Sequence, residues 1–161
     1  MGLFNRLFGS NTETLRAPVS GKLIPLNTVP DTALSQGQLG NGIAIEPTDD
    51  KVFAPCDAVV DTVFETGHAV LLNGMNGAEI LIHIGLDTTY LKGRHYTIHC
   101  KVGDPVKTGD LLVEFDNNAI RAEGYNTLTT MLVCNSNNYA TFRIKSAKTV
   151  ASGDSVIELS K

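Results

Sequence analysis

The 161-residue chain lacks several features that mark common functional classes. It has no tryptophan, only 6% aromatic residues and no basic patch with interleaved aromatic side chains, so we expect no nucleic-acid partner. No apolar run approaches the ~18 residues that a membrane-spanning helix needs. A G-x-x-x-x-G-K-S/T phosphate loop is also missing, because Gly21-Lys22 lacks both the earlier glycine and the following Ser or Thr.

Cysteine is scarce and gives no structural framework. Cys56, Cys100 and Cys134 are far apart and odd in number, and they form neither a CxxC motif nor a disulfide pattern. Together with the absence of a cleavable signal peptide, this predicts a reducing, cytoplasmic environment. We expect each cysteine to be a small apolar residue in or near the core.

The chain from residue 15 to 161 is expected to form one all-β domain with little helix. Its 42% hydrophobic and 19% charged content is ordinary for a globular protein, and the net charge of -4 is mild. Short β-branched runs between Gly, Pro, Asn and Asp predict an antiparallel β-sandwich or barrel-like fold. These runs are KLIPL, GIAIEP, AVVDTVF, HAVLL, EILIHIG, LLVEF, TMLVC, ATFRI and SVIEL. Helix is plausible only in Asn117–Asn126 and near Asp31–Gln38.

Residues 1–14 are predicted to be an N-terminal amphipathic arm followed by a linker. The arm carries an apolar stripe, and Asn11–Thr14 reads as a polar linker. A helix this short is marginal alone in water, so it needs a surface, either the domain itself or a bilayer. A weak, peripheral contact with the inner face of the membrane is therefore one expectation. The stripe consists of Leu3, Phe4, Leu7 and Phe8.

Two histidines lie fifteen residues apart, His68 and His83, on apolar runs joined by a Gly/Asn-rich turn. The stretch predicts a β-hairpin with a four-residue loop, Gly74–Gly77, that pairs Asn73 with Ala78. Counting outward places the two histidines directly opposite each other, with their Cβ atoms about 5 Å apart. A one-residue slip would send the rings to opposite faces of the sheet.

Alternation along the second strand separates its two faces. It directs Ile80, Ile82 and Ile84 towards the core, and Glu79, Leu81 and His83 towards the other face. Thr66 lies two residues before His68 on the same predicted face. Its hydroxyl could therefore fix the tautomer of His68 by a hydrogen bond.

A pair of adjacent imidazoles suits phosphoryl transfer. A neutral imidazole can attack with its ring lone pair, while a second imidazole donates an N–H to the anion being transferred. Without a nucleotide cradle, such a protein would take the phosphoryl group from another protein. Apolar residues near the histidines could then form a docking rim, and the candidates are Leu34, Leu39, Phe64, Leu81 and Ile84.

A metal site is the alternative use of the same pair, since two histidines can begin a zinc site. It needs a third ligand, and Cys56, His95, His99 and Asp87 are only conceivable ones. The HYTIH segment at 95–99 has i, i+4 histidines but lacks the glutamate of HExxH. We therefore expect neither a metal nor any other cofactor.

Several motifs in order give the chain a specific resemblance. They are APVSGKLIPLNTVPD, LGNGIAIEP, FAPCDAVVDTVFETGHAV, AEILIHIGLDTTYLKG and VKTGDLLVEFD. From about Ala17 to Asn135 the sequence resembles the glucose-type enzyme IIA domain of the bacterial phosphoenolpyruvate-dependent sugar phosphotransferase system. The resemblance implies an antiparallel β-sandwich and a phosphotransferase component that works through a phosphohistidine.

The same resemblance implies roles for individual residues. His83 would accept phosphate from the phosphohistidine of the carrier HPr and pass it to a cysteine of a IIB domain, which phosphorylates incoming sugar. His68 would support the phosphoryl group, Thr66 would orient His68, and Asp87 would help to receive a basic partner surface. The N-terminal arm resembles the membrane-associating helix of free-standing members. A phosphorylation-dependent regulatory role, with further protein partners, could coexist with the relay.

The chain departs from the family pattern at positions that concern partner choice. RHYTIHCKVGD stands where relatives commonly carry Gly-Phe, NTLTTMLVCNSNN lacks a frequent proline, and Leu34 and Leu81 replace a Phe of some members. Two other classes fit less well. A biotinyl or lipoyl carrier needs a lysine at a hairpin tip, and the tip here is Gly74–Gly77. A β-type zinc hydrolase needs HxxxD and HxH ligands, and HxH is missing.

Overall fold

The computed structural model describes residues 12–161, and within them the chain is built almost entirely of short strands. Alternating β-branched runs form the longer strands, and Gly, Pro, Asn and Asp lie in the turns between them. The strands are β1 (Thr12–Arg16), β2 (Gly21–Ile24), β3 (Asn41–Pro47), β4 (Lys51–Phe53), β5 (Ala58–Val63), β6 (Ala69–Gly74), β7 (Glu79–Ile84), β8 (Tyr96–Ile98), β9 (Pro105–Val106), β10 (Leu111–Phe115), β11 (Thr129–Val133), β12 (Thr141–Ile144), β13 (Thr149–Val150) and β14 (Ser155–Ser160).

All strand pairs in this part of the chain are antiparallel. An eight-stranded sheet has the order β13-β2-β3-β11-β7-β6-β5-β9, and two three-stranded sheets have the orders β1-β14-β12 and β4-β10-β8. Every predicted β run forms a strand. The predicted all-β antiparallel sandwich is therefore confirmed.

The helices are short and lie within the predicted ranges. They are α1 (Thr32–Ser35) and α2 (Asn117–Ala122), with 3-10 turns at Leu26–Thr28, Thr88–Leu91 and Ser136–Asn138. Asp31 and Asp116 cap the two α-helices by accepting hydrogen bonds from Leu34 N and Ala119 N. Within residues 12–161, neither is long and apolar enough to cross a membrane.

The central strand β11 is buried on both faces, and its neighbour β7 is buried on one face and partly covered on the other. One face packs into the main core, where Ile80, Ile82 and Ile84 are fully buried. Burial of each such side chain contributes about 1.5–3 kcal/mol, so the backbone of β7 is firmly held. A smaller cluster that includes Leu34 and Leu132 covers part of the other face. His83 lies on that second face, beside this cluster.

The domain begins earlier than the sequence predicted. Thr12, Glu13 and Thr14 were assigned to a polar linker, but they lie in β1 and pair with β14. Backbone pairing with β14 outweighs the polar side chains, and Glu13 is almost completely buried. The arm residues Leu3, Phe4, Leu7 and Phe8 lie outside the described residues.

Candidate functional site

The β6–β7 hairpin carries both histidines, but its register differs by one residue from the prediction. Ala69, not His68, pairs with His83. The loop has three residues rather than four, because Gly74 N donates to Ala78 O at 2.7 Å. Gly77 at φ +102 ends the loop, and a three-residue hairpin loop favours glycine there.

The two rings nevertheless meet, for a reason that strand alternation does not supply. His68 lies just before β6, in the loop that follows β5, so it does not have to follow the pleat. Its carbonyl accepts a hydrogen bond from Ile84 N at 2.6 Å. The ring centroids of His68 and His83 are 5.1 Å apart, with the planes at 82°. The imidazoles therefore share one site although their residues are not paired.

Gly67 makes this loop conformation possible. Its φ is +74, and a Cβ at this position would lie 2.9 Å from the Cβ of Tyr96. Both the left-handed backbone and the close approach exclude a larger residue. The position of His68 therefore depends on the glycine before it.

His83 has one ring nitrogen committed to the backbone. Its Nδ1 lies 2.8 Å from Gly85 O, and because a carbonyl can only accept, Nδ1 carries the proton. The lone pair of the neutral ring is therefore on Nε2. Burial lowers the pKa of His83, while the Gly85 carbonyl and the charges of Asp31 and Asp87 oppose that shift. The neutral, nucleophilic form is favoured.

His68 is also buried, with 5% of its surface exposed. Burial, and then the neighbouring His83 charge, lower the pKa of His68 to about 4. The hydroxyl of Thr66 hydrogen-bonds to Nδ1 of His68, as the sequence predicted for these two residues. If the hydroxyl donates this bond, Nε2 of His68 carries an N–H, because a neutral imidazole has one of each kind of nitrogen.

Part of the predicted docking rim is accessible. Phe64 is 42% exposed and meets the His68 ring edge-on, with the centroids 5.2 Å apart. Leu39 is also exposed, and Leu81 is half-buried. Asp87 is exposed with a left-handed backbone at φ +58. These side chains are open to a partner surface.

Two members of the predicted rim lie in the interior instead. Ile84 is completely buried in the main core, since strand alternation points it away from His83. Leu34 is 3% exposed and packs in the smaller cluster beneath α1. Neither residue can contact a partner directly, so their assignment to the rim was wrong.

Three further residues reach the site that sequence reasoning did not single out. Asp31, the cap of α1, acts on His83 by its charge. Thr88 and Tyr96 both donate hydrogen bonds to Ile84 O, at 2.7 and 2.8 Å. A cap signal before α1 could have located Asp31, but only the fold brings Tyr96 close to the histidines.

The conceivable metal ligands are not gathered at the pair. HYTIH contains strand β8, and the flanking histidines bind different carboxylates, His95 to Glu123 and His99 to Glu114. Across residues 12–161, no three His, Cys, Asp or Glu side chains are grouped so that they could hold a metal ion.

Comparison with known proteins places this chain in a family. Residues 13–139 match the family described as phosphoenolpyruvate-dependent sugar phosphotransferase system, EIIA 1. The glucose-specific EIIA component of Oceanobacillus iheyensis is 40% identical over 144 residues, covering 89% of this chain and 87% of that protein. The glucose-specific EIIA component of Haemophilus influenzae is 34% identical over 166 residues, with 100% of both chains covered.

Other relatives are much longer proteins. The beta-glucoside-specific EIIBCA component of Dickeya chrysanthemi is 45% identical over 141 residues, which are 88% of this chain but 22% of that protein. The solved structure of glucose permease IIA from Mycoplasma capricolum has a TM-score of 0.85 and 30% identity, covering 94% of this chain and 97% of that one. The chain therefore belongs to the EIIA 1 family of the phosphoenolpyruvate-dependent sugar phosphotransferase system.

Proposed function

We propose that this chain is a phosphocarrier for sugar uptake, with Nε2 of His83 as the phosphoryl acceptor. The observation that carries the proposal is the hydrogen bond between Nδ1 of His83 and Gly85 O, which leaves Nε2 with the lone pair. Family membership supplies the donor, the phosphohistidine of HPr, and the acceptor, a cysteine of a IIB domain. Both are partners that the EIIA family implies.

The transfer balances without a cofactor. Nε2 of His83 attacks the phosphorus, the P–N bond of phospho-HPr breaks, and its electron pair returns to the imidazole of HPr. In the onward step a cysteine thiolate of the IIB domain attacks the same phosphorus. The P–Nε2 bond then breaks and its electron pair returns to His83. Both steps depend mainly on positioning and on stabilisation of charge.

His68 is proposed to stabilise the phosphoryl group rather than to carry it. Its ring lies next to His83, and its lowered pKa favours the neutral imidazole in the unphosphorylated chain. With Thr66 donating to Nδ1, the N–H on Nε2 can donate to a phosphoryl oxygen. Thr66 is therefore proposed as the residue that selects the useful tautomer.

The surface around the pair is suited to basic protein partners. Asp31 and Asp87 give this region negative charge, and the exposed Phe64 ring borders His68. Complementary charge accelerates the encounter of two proteins, and an apolar contact excludes water from the transfer. Phosphorylation would add further negative charge, so the two forms of the chain could bind different regulatory targets.

The test is phosphorylation of the full chain by phosphoenolpyruvate, enzyme I and HPr. The wild-type protein should acquire an acid-labile phosphohistidine, which phosphorus NMR identifies. His83→Ala should abolish labelling, because it removes Nε2 of His83, the proposed acceptor of the phosphoryl group. His99→Ala is the matched control, since His99 is paired with Glu114 away from the site and its loss should leave labelling intact. Labelling of His83→Ala at the normal level would refute the assignment.

A further inference from the structure

Tyr96 contacts both chain segments that carry the histidines. Its hydroxyl donates to Ile84 O at 2.8 Å, and Ile84 directly follows His83. Its Cβ lies against Gly67, directly before His68, so closely that a Cβ on the glycine would be 2.9 Å away. One side chain at the start of β8 thus links the strand of one histidine to the loop of the other.

The peptide groups of Ile84 form the centre of this link. Ile84 N donates to His68 O at 2.6 Å, and Ile84 O accepts from both Thr88 Oγ1 and Tyr96 OH. A carbonyl oxygen has two lone pairs, so its capacity is filled.

The two bonds to Ile84 O hold the peptide group between Ile84 and Gly85. The Gly85 carbonyl, which accepts the bond from Nδ1 of His83, belongs to the next peptide group, whose Leu86 N donates to Asn126 O at 2.9 Å. A shift of the Ile84–Gly85 peptide group would therefore reach the Gly85 carbonyl through the Gly85 backbone.

The backbone before Tyr96 is anchored on α2. His95 has φ +75, a left-handed conformation that non-glycine residues rarely adopt. Glu123, the C-terminal cap of α2, binds the His95 ring and also Arg94 at 2.7 Å. Asp116 N donates to His95 O at 2.9 Å from the other end of the helix. Tyr96 is thus held from one side by α2 and reaches the histidines on the other.

We propose that Tyr96 is a positioning residue of the phosphoryl-transfer site, acting through its hydroxyl on the Ile84 carbonyl. The inference rests on the proposed phosphocarrier function. Transfer between two proteins requires close alignment of the attacking nitrogen with the phosphorus, and small misplacements slow such steps strongly. Burial raises the pKa of Tyr96 to about 12, so its hydroxyl remains a donor throughout the working pH range.

Tyr96→Phe tests the hydroxyl alone, because it keeps the ring that packs against Gly67. Thr88 still donates to Ile84 O, so the variant should fold with a melting temperature within a few degrees of wild type. We expect phosphoryl transfer from phospho-HPr, measured by rapid quench, to slow by about 3- to 10-fold at saturating donor. The expected change is in kcat rather than in KM, since Tyr96 acts behind the reacting atoms and not on the partner surface.

The matched control is Tyr125→Phe, which makes the same chemical change at a half-buried tyrosine whose hydroxyl makes no hydrogen bond within residues 12–161. It should transfer at the wild-type rate. Wild-type kcat in Tyr96→Phe, or equal slowing in both variants, would overturn the proposal. If Tyr96→Phe lowered the melting temperature but left kcat unchanged, Tyr96 would stabilise the fold without positioning the site.

Nitrogen-15 NMR of the unphosphorylated protein separates this inference from the proposed function. Tyr96→Phe should change the Nδ1 signal of His83 and move its titration to lower pH, because a shift of the Ile84–Gly85 peptide group would weaken the bond from Nδ1 of His83 to Gly85 O, which favours the imidazolium. If wild type accepts no phosphoryl group, the proposed function fails. The NMR comparison still decides whether Tyr96 positions His83, and unchanged His83 signals would refute that role.

Discussion

At the scale of single residues, the two histidines differ in what holds their Nδ1 atoms. The partner of His83 is a carbonyl, which can only accept, so its tautomer is fixed. The partner of His68 is the Thr66 hydroxyl, which can donate or accept. The lone pair of His83 is thus on Nε2, as its proposed role as the nucleophile requires, whereas His68 can keep an N–H on Nε2 for its proposed contact with the phosphoryl group. The different hydrogen-bond partners of the two Nδ1 atoms are therefore the basis for proposing different roles for the two histidines.

His68→Gln should separate these roles. The variant keeps His83 and should still accept a phosphoryl group from phospho-HPr. Onward transfer to a IIB domain should slow on the order of 10²-fold, the usual cost of disturbing a donor that stabilises transition-state charge. Rapid-quench measurement of labelled phosphate passing to the IIB cysteine checks this. His99→Gln is the control, and wild-type onward transfer by His68→Gln would remove His68 from the mechanism.

At the scale of elements, strand positions could be predicted from the sequence but strand register could not. Alternating β-branched residues located β6 and β7, whereas β4, β9 and β13 are too short to show any alternation. The four-residue loop predicted from the sequence contains both Gly74 and Gly77, and residue type alone does not say that only Gly77 takes the left-handed conformation. That choice moved every pair by one residue.

The proximity of the two histidines was predicted more reliably than the geometry that produces it. Spacing brought His68 and His83 together, and the family resemblance supplied their proposed roles. Their actual contact depends on a loop outside the strand, which no periodicity encodes. Ile84 was wrongly assigned to the rim although its alternation already placed it in the core. No sequence pattern marks Tyr96 as part of the site, because its contacts with Ile84 and Gly67 span long stretches of the chain.

The loop between β5 and β6 offers a test of this geometry. Gly67→Ala places a Cβ into Tyr96 at a positive φ, whereas Gly109→Ala meets a positive φ with nothing within 4 Å. Gly109→Ala should cost about 1–2 kcal/mol of unfolding free energy and leave transfer unchanged. Gly67→Ala should cost more and also slow transfer, because the loop that carries His68 must move. Urea unfolding and rapid-quench kinetics provide the two measurements.

Equal stability loss and equal transfer rates in the two glycine variants would contradict this account of the loop. Such a result would mean that the backbone conformation, and not the contact with Tyr96, determines where His68 lies. The two variants can be compared directly because both add one methyl group at a residue with positive φ, +74 at Gly67 and +90 at Gly109.

At the scale of the whole molecule, buried ionisable groups lie at both ends of the β6–β7 hairpin. The histidine pair lies at one end. At the other, Glu13 is 5% exposed, and its Oε1 would lie 3.2 Å from a Cβ on Gly74. Burial raises the pKa of Glu13, with Tyr139 and Lys161 opposing the shift. The two ends therefore respond to pH with opposite signs.

The histidine end should make the protein less stable as the pH falls from about 6.5 to about 4. The folded-state pKa of His68 is lowered to about 4 from its ordinary 6.5, so protons bind the unfolded chain first. The stabilisation is fully present above pH 6.5 and is lost on acidification, with a magnitude on the order of 3 kcal/mol. The lowered pKa of His83 adds a loss of the same sign.

Urea unfolding of wild type and His68→Gln between pH 7.5 and 4.5 isolates this contribution. The window ends at the ordinary pKa of Glu123 and stays above that of Asp57, the two carboxylates whose pKa is lowered, so most of their loss of stability falls at lower pH and is common to both proteins. The Glu13 contribution is common to both proteins and cancels in their difference. Between pH 7.5 and 4.5, His68→Gln should therefore lose clearly less unfolding free energy than wild type. The unfolding free energy of the variant should still fall on acidification, because the pKa of His83 is also lowered. Parallel curves for the two proteins would mean that His68 binds its proton as readily in the folded chain as in the unfolded one.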